Sequence, residues 1–303
     1  MSKKLYVGLI IATTFMMGIA FPVGKIGLHY APPFLLMGVR FVIAGGLLAW
    51  FARSKPQPKG GRQWLHIALI GLFQSAGVMG CAYYSMRWIT SGESAIITSM
   101  NPLLVIIIGT LFMGASYRAV QWFGVAIGFV GVAVSFGLHV GVNPGSLLGL
   151  AGALCFATAT LLYKRWGAAL DRSVLAGYQM LFGGAALLLL SMLTETPRWD
   201  FNLSSIAVLF TLVAICSIAQ FTLWYRLLAS SDPAKTSAFL FLVPLFGVLS
   251  SWLLLNEQLH WYVGLGGALI CGGIFLVNWE GKRGTISVHT SATHMHVKGG
   301  STL

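Results

Sequence analysis

Long apolar runs alternate with short polar segments along this chain. A bilayer core of about 30 Å needs about 20 apolar residues to be crossed by a helix. On that criterion the sequence predicts ten spans, at 5–24, 33–52, 65–86, 93–113, 118–137, 146–165, 173–193, 204–228, 234–255 and 261–279. Because unpaired backbone groups cannot face lipid, helices are the favoured spanning element. The expected fold is an all-α integral membrane protein.

Composition agrees with lipid as the solvent for most of the chain. Of the 303 residues, 57% are hydrophobic and only 9% are charged, whereas a soluble domain carries roughly a quarter charged residues. The four cysteines (Cys81, Cys155, Cys216 and Cys271) all lie in apolar runs. Their spacing favours packing over a disulfide framework or a metal site, and no cofactor is expected.

The basic residues predict which way the spans face. If the N-terminus is cytoplasmic, 15 of the 19 lysines and arginines fall in cytoplasmic segments, which is the positive-inside bias. Lys25, Arg87 and Arg198 remain outside, and Arg40 lies within the second span. Both termini are therefore predicted to be cytoplasmic, with no nucleic-acid partner. The tail 281–303 is expected to be disordered, its histidines solvated or, alternatively, metal-binding.

An internal repeat divides the chain into two halves of five spans, 1–140 and 141–280. At an offset of 142, Tyr83 aligns with Tyr225 and Pro102 with Pro244, and "GVRFVIAGG" matches "GYQMLFGGA" at a slightly shorter offset. Because five is odd, the second half enters the membrane from the opposite side. Inverted repeats of this kind are typical of secondary transporters.

Four segments carry a resemblance to a known family. They are "FMMGIAFPVGK", "GVRFVIAGGLLAW", "YYSMRWITSGESAIITSMNPLL" and "WYRLLASSDPAKTSAFLFLVPLFGVLSSWLLLNE". The chain resembles the EamA-type members of the drug/metabolite transporter superfamily over about 275 residues. It departs at 114–116, Gly-Ala-Ser, where the family often has Gly-Glu; Glu257 keeps that acid in the second half only. The resemblance implies a ten-helix carrier, usually an exporter of small metabolites, amino acids or related compounds.

Charged residues near the outer end of the first, second and fourth spans are candidates for gating. Pro22 permits a bend in the first span, and Lys25 is either a membrane anchor or salt-bridge partner, or part of the outer mouth of the pathway. Arg40 sits roughly 10 Å inside the second span, where a charge is costly unless paired or hydrated. Glu93 is the nearest acid, so an ion pair with Lys25 or Arg40 is the simpler interpretation.

Paired prolines, Pro102 and Pro244, interrupt the fourth and ninth spans at equivalent positions, which in transporters indicates a midplane site. Ser94, Thr98 and Asn101 form a polar stripe beside the first of them. Asn101 is the best single candidate for substrate contact.

Neighbouring spans supply the remaining candidates for a substrate cavity. The polar ones are Gln74, Tyr83, Gln220 and Trp224, and the apolar walls are Met17, Phe21, Tyr163, Phe239 and Phe241. Any one of these polar residues could instead form interhelical hydrogen bonds. The mid-span glycines of "GVAIGFVG" and "GLGGALICGG" are interpreted as close-packing seams or, alternatively, a dimer face.

All seven acids lie at helix ends or in loops, so coupling through a midplane carboxylate is not expected. The predicted function is a secondary transporter that exports small metabolites, such as amino acids or related amphipathic compounds, across the bacterial inner membrane by alternating access. Alternatives are a proton-coupled multidrug exporter, a channel or an intramembrane enzyme. The expected partners are a small-molecule substrate and membrane lipid, with the protein a monomer or a dimer.

Overall fold

In the computed structural model, the described residues are 3–114, 116–135, 143–167, 170–230, 239–258 and 260–278. The predicted tail therefore lies outside the described part. Residues described in the first half form helices and contain no strand. These helices are α1 (Lys3–Gly27), α2 (Pro33–Phe51), α3 (Gly61–Gly71), π1 (Leu72–Gly77), α4 (Val78–Ser85), α5 (Ser91–Thr98), α6 (Asn101–Met113) and α7 (Ala119–Ser135).

The described residues of the second half repeat most of this series of helices. Its described elements are α8 (Pro144–Trp166), α9 (Arg172–Thr194), α10 (Leu203–Phe210), π2 (Thr211–Ala219), α11 (Gln220–Ser230), a 3₁₀ turn (Phe239–Phe241), α12 (Leu242–Leu255) and α13 (Trp261–Asn278). In the described residues, each predicted span contains one helix or a series of helices, and the start of the ninth span, 234–238, lies outside the described part. The protein is therefore an all-helical membrane protein with no strand among its described residues.

Seven of these helical segments are long and apolar enough to cross a membrane, and α7, α12 and α13 are shorter apolar helices. Many large apolar side chains are exposed, including Phe51, Phe112, Leu193 and Trp261. Exposed apolar surface on this scale marks a protein surrounded by lipid rather than water. All four cysteines are free thiols.

Two π-helices interrupt the third and eighth predicted spans. They occupy equivalent places in the repeat, because adding 142 to residues 72–77 gives 214–219, inside π2. In π2 the Ser217 hydroxyl donates to the carbonyl of Leu212, five residues earlier, at 2.9 Å. A π-helix widens one turn, and such turns are frequent at functional sites. The sequence pattern did not predict either one.

Glycine seams join the halves at two places. Along α2 and α9, a Cβ on Gly45 would lie 2.7 Å from the carbonyl oxygen of Gly177, and one on Gly184 would lie 2.8 Å from the amide of Val42. Along α7 and α13, a Cβ on Gly131 would lie 2.7 Å from the Gly266 carbonyl oxygen. The glycine-rich runs are therefore close-packing seams, as the sequence predicted.

The other helices fill the space between these two seams, and their contacts follow the inverted repeat. α1 packs on α12 as α8 packs on α6, and α4 packs on α8 as α11 packs on α1. Gly18 of α1 lies directly against α12, since a Cβ there would be 2.7 Å from the amide nitrogen of Gly247. The close approach that Gly18 permits is therefore made by a helix.

The α2–α9 seam can be tested with two adjacent glycines. Gly45→Ala should lower the free energy of unfolding by about 1–3 kcal/mol, because its Cβ would press against backbone atoms of α9 that cannot move aside. Gly46→Ala is the control, since its nearest neighbour across the seam is 3.9 Å away. Thermal unfolding in detergent measures both. Equal melting temperatures for the two variants would contradict the packing described here.

Candidate functional site

The fourth predicted span is broken at its middle. A capping box begins α5, in which the Thr90 hydroxyl accepts from the Glu93 amide and the Glu93 carboxylate accepts from the Thr90 amide. α5 ends at Thr98, and α6 begins at Asn101 with Pro102 in its first turn. Proline fits there because the first turn needs no amide donor. The predicted interruption is thus a two-residue turn, Ser99 and Met100, between two helices of one span.

Four of the predicted polar residues make no side-chain hydrogen bond within the described part of the chain, and two of them, Thr98 and Asn101, lie at this break. The Thr98 side chain is only 2% exposed, and its hydroxyl has no hydrogen-bond partner. The side chains of Asn101 and Gln220 are buried, and neither makes a hydrogen bond to another described residue. Gln74, half-buried in π1, likewise makes none within the described ranges. Unpaired polar groups at such depth are costly, so each is available to a ligand.

Ser94, the remaining member of the predicted polar stripe, already makes hydrogen bonds within the protein. Its hydroxyl donates to the carbonyl of Ala82 at 3.0 Å and lies 3.3 Å from the Ser85 hydroxyl. These bonds join α5 to α4 and leave Ser94 fully buried. Ser94 therefore forms the interhelical hydrogen bonds that the sequence left open as the alternative. In this it differs from Thr98 and Asn101.

Arg40 is buried among helices, with 2% of its surface exposed. Its Nε donates to the Ser217 hydroxyl at 2.9 Å, and its Nη2 donates to the Cys216 carbonyl at 2.8 Å, both in π2. Within the described part of the chain, no carboxylate lies within 4 Å of the guanidinium. The expected pairing with Glu93 is therefore wrong: the charge is held by a π-helix carbonyl and hydroxyls.

Tyr83 links this arginine to the first span. Its hydroxyl donates to the Ala20 carbonyl at 2.5 Å and lies 3.5 Å from Nη1 of Arg40. Its ring is parallel to that of Phe21, with centroids 6.4 Å apart. Both side chains are buried, so Tyr83 and Phe21 form an aromatic layer between α1 and Arg40.

Lys25 does not extend to the lipid headgroups. Its ammonium donates to the backbone carbonyls of Met86 and Ile89, where the third span ends. The carboxylates of Glu93 and Glu257 are near enough to act on it electrostatically, but no ion pair with Glu93 forms among the described residues. Lys25 therefore caps a neighbouring helix, and the predicted Lys25–Glu93 ion pair is wrong.

Acidic residues make similar caps at the same end of the bundle. Both Glu195 oxygens accept from α2 amides, of Phe34 at 3.1 Å and Leu35 at 3.2 Å. Glu257 accepts from the amides of Ser91 at 3.0 Å and Gly92 at 3.2 Å at the start of α5. These cross-helix caps tie the ends of α1, α4, α9 and α12 to their neighbours. We call this end, where α1 ends and α2 begins, the closed end.

Gln179 was not among the predicted site residues. It is 1% exposed, its Oε1 accepts from the Ser75 hydroxyl in π1 at 3.0 Å, and its Nε2 has no partner. Gln179 and Arg40 occupy the same place in "GYQMLFGGA" and "GVRFVIAGG", and Ser75 and Ser217 are 142 residues apart. The sequence contained this signal, because the repeat already aligned the two polar residues.

The other predicted site residues lie on several different elements. Tyr163 packs against Ile67 and Leu175, away from the helix break. Met17 and Trp224 are half-buried on α1 and α11, and Pro22 lies inside an unbroken α1. The remaining candidates are at the start of the ninth span: Pro244 in the first turn of α12, Phe239 in the 3₁₀ turn, and Phe241, whose side chain lies outside the described part.

The sequence of this chain matches the profile of the EamA-like transporter family twice, at residues 4–137 and 143–279. The chain belongs to the EamA-like transporter family. It is thus a multi-pass membrane transporter of the drug/metabolite transporter superfamily, and members of this family are transporters, not enzymes.

Relatives and a solved structure agree with this membership. The chain is 30% identical over 255 residues to the uncharacterized inner membrane transporter YedA of Escherichia coli K12, covering 80% of each chain. It is 28% identical to the uncharacterized transporter YvbV of Bacillus subtilis, covering 88% and 89%. A solved crystal structure, 19% identical, superposes with a TM-score of 0.65 over 91% of this EamA-family chain and 96% of the other, which shows the fold alone.

The Arg40 contact to π2 makes a stability prediction. Ser217→Ala should lower the free energy of unfolding by about 1–3 kcal/mol, because it removes the acceptor of a buried, charged donor. Ser204→Ala, at an exposed position of α10, serves as the control and should change little. Thermal unfolding in detergent reports both variants. If Ser217→Ala melts like Ser204→Ala, then the serine does not hold the arginine.

Proposed function

We propose that this EamA-family protein is a secondary carrier that exports small metabolites, such as amino acids or related amphipathic compounds, by alternating access. The observation that carries the proposal is the buried Thr98 hydroxyl at the break between α5 and α6, which has no partner among the described residues, with the buried Asn101 amide three residues on. A hydroxyl and an amide at a helix break can each bind a carboxylate or amino group of a small solute.

The proposed topology has ten spans, with both termini in the cytoplasm and the closed end outside. Its support is the distribution of lysines and arginines, most of which lie at the end opposite the closed end. The E. coli relative is named as an inner membrane transporter, and we place this protein in a bacterial inner membrane by analogy.

Alternating access is supported by the repeat-related contacts of Arg40 and Gln179. Each residue reaches from its seam helix to the serine of the π-helix in the opposite half. Arg40 also binds the Cys216 carbonyl, whereas Nε2 of Gln179 lacks a partner. The carbonyl equivalent to that of Cys216 is that of Gln74, 142 residues earlier. In the other state of the transport cycle, we expect Nε2 of Gln179 to donate to the backbone carbonyl of Gln74. Arg40 should then release the backbone carbonyl of Cys216.

The closed end supports an outward-closed state. Lys25, Glu195 and Glu257 each fix the end of one helix to a neighbouring helix there. Charge-assisted hydrogen bonds of this kind are strong, yet they can be exchanged for water when the helices separate. Opening toward the outside would break these caps, so they contribute to the free-energy barrier to release of the solute.

Charge near the pathway favours a solute that carries a negative group. Arg40 has no acidic partner within 4 Å among the described residues, and the aromatic layer of Phe21 and Tyr83 separates it from α1. A buried charge of this kind attracts an anionic or zwitterionic solute into the region. Amino acids fit this requirement, as do other small carboxylates with an apolar part.

Of the five acids in the described ranges, four cap helices and Asp200 pairs with Arg198, which favours facilitated export or exchange. Glu93, Asp171, Glu195 and Glu257 each accept backbone amides at a helix start. A proton-coupled carrier commonly uses a titrating carboxylate within its pathway. A proton-coupled multidrug exporter remains the second candidate, and it would need one of these capping acids to release its amides during the cycle.

The first experiment measures efflux from proteoliposomes that are preloaded with labelled amino acids and small metabolites, with and without a pH gradient. We expect saturable efflux of one solute class without a gradient. Efflux that requires a gradient would replace facilitated export by proton coupling. A flux that never saturates would indicate a channel and contradict the carrier.

Two threonine variants distinguish a hydroxyl that contacts the substrate from one that supports the fold. Thr98→Val should raise the KM for efflux by about tenfold, the effect of one lost hydrogen bond of about 1.4 kcal/mol. It should not lower the melting temperature, because the buried hydroxyl has no partner to lose. Thr110→Val removes a hydroxyl that is bonded only to the Ile106 carbonyl of its own helix and should leave KM unchanged.

Two results would contradict the role of Thr98. One is a Thr98→Val protein with normal KM for every transported solute. The other is a large loss of melting temperature, which would mean that its hydroxyl supports the fold instead.

A further inference from the structure

A cavity opens between α2, α9 and α11, at the end of the bundle opposite the closed end. Its volume is about 520 Å³. Its apolar wall contains Leu48 of α2, Ala176 of α9 and Phe221 of α11. At its polar rim lie Arg172, which begins α9, and Arg226, near the end of α11.

The course of the eighth span produces this cavity. α2 packs against π2, but beyond the π-helix α11 packs mainly on α1 and makes only slight contact with α9. Both arginines lie at the end of the bundle where α9 begins and α11 ends. Thr222, which also lines the cavity, is exposed and bonds only to the Ile218 carbonyl of its own helix. The cavity is therefore open on its side, toward the surrounding lipid.

The repeat-related place at the closed end has no such opening. There Phe34 of α2 stacks on Tyr84 of α4 with ring centroids 4.9 Å apart, and Glu195 caps α2 while lying 3.9 Å from Arg87. The aromatic pair fills the space, and the two charges compensate each other. At the cavity, by contrast, two positive charges line an unfilled space.

Neither arginine of the cavity forms an ion pair with another described residue. Asp171 is the acid of the lining, and its Oδ1 accepts from the amides of Ser173 and Val174 as the cap of α9. Two guanidinium groups from separate helices can each bind a phosphate oxygen pair. The apolar wall below them suits an alkyl chain rather than water.

We propose that this cavity binds an anionic phospholipid of the cytoplasmic leaflet, with its phosphate between Arg172 and Arg226 and an acyl chain along Leu48 and Phe221. Basic pockets between membrane helices on the cytoplasmic side suit such headgroups. The lipid fills the wedge beside α11 and holds α11 away from α2. The proposal uses the orientation given above, but it does not depend on transport activity.

The test is lipid binding to the purified full-length protein, measured by native mass spectrometry during titration with phosphatidylglycerol. We expect Arg172→Gln/Arg226→Gln to weaken binding by about tenfold or more. Arg53→Gln/Arg62→Gln is the matched control, since it removes two exposed charges from the same end but none from the cavity, and binding should stay within about twofold. Phosphatidylcholine, which has no net charge, should bind wild type as weakly as the cavity variant binds phosphatidylglycerol.

A steric variant tests the apolar part of the cavity separately. Thr222→Trp places a large side chain in the wedge and keeps both arginines, so it should also weaken phosphatidylglycerol binding. All five substituted positions (Arg53, Arg62, Arg172, Thr222 and Arg226) are exposed, and an unchanged elution volume verifies that each variant is folded. Unchanged lipid binding in folded Thr222→Trp would place the lipid outside the cavity and overturn the proposal.

Two further outcomes would overturn it. Equal losses in the two double-arginine variants would mean that only general surface charge attracts the lipid. Displacement of the lipid by glycerol 3-phosphate at equal concentration would mean that a free anion, rather than a phospholipid, occupies the site.

Discussion

A polar group that is buried in a bilayer without a hydrogen-bond partner loses its water and gains nothing in return, at a cost of several kcal/mol. Most of this structure follows from meeting that requirement. Among the described residues, the capping acids accept hydrogen bonds from helix amides. Lys25 donates to carbonyls at a helix end, and Arg40 donates to the widened turn of π2. The few groups that do not meet the requirement are therefore the informative ones.

Of the buried side-chain atoms without a partner among the described residues, those of Thr98 and Gln179 lie on helices, and those of Gln57 and Trp199 lie in loops. Thr98 and Asn101 adjoin the helix break, and the unpaired amide of Gln179 lies beside π1. The two halves thus share the same elements but differ in how completely their polar groups are satisfied. For a carrier that exchanges the conformations of its halves, such a difference is what one end-state requires.

The sequence predicted the helices well, because apolar length and the requirement for internal hydrogen bonds leave little freedom in lipid. Pro102 and Pro244 also marked the helix starts that the structure has. The ion pair expected between Glu93 and a nearby cation was wrong, because that carboxylate accepts instead from the amide and the hydroxyl of Thr90 at the start of α5. Sequence position also could not assign Glu257 to Ser91, since that contact joins residues 166 apart.

The π-helices were not predictable from apolar periodicity, because one extra residue in a turn leaves the hydrophobic pattern almost unchanged. The cue that was present lay in the repeat, which aligns Arg40 with Gln179 and Ser217 with Ser75. Symmetry in a sequence is thus a better guide to paired polar contacts than the properties of each residue taken alone. Tyr163 shows the converse, since its aromatic character suggested a cavity wall and its burial is ordinary packing.

The central claim is that the unpaired groups at the α5–α6 break bind the exported solute. The most direct measurement is the rate at which a maleimide labels Asn101→Cys, in a background without other cysteines, as the transported solute is added. The account predicts that labelling slows with increasing solute and reaches half its initial rate near the KM for efflux. A labelling rate that is independent of a solute which the same protein transports would contradict it.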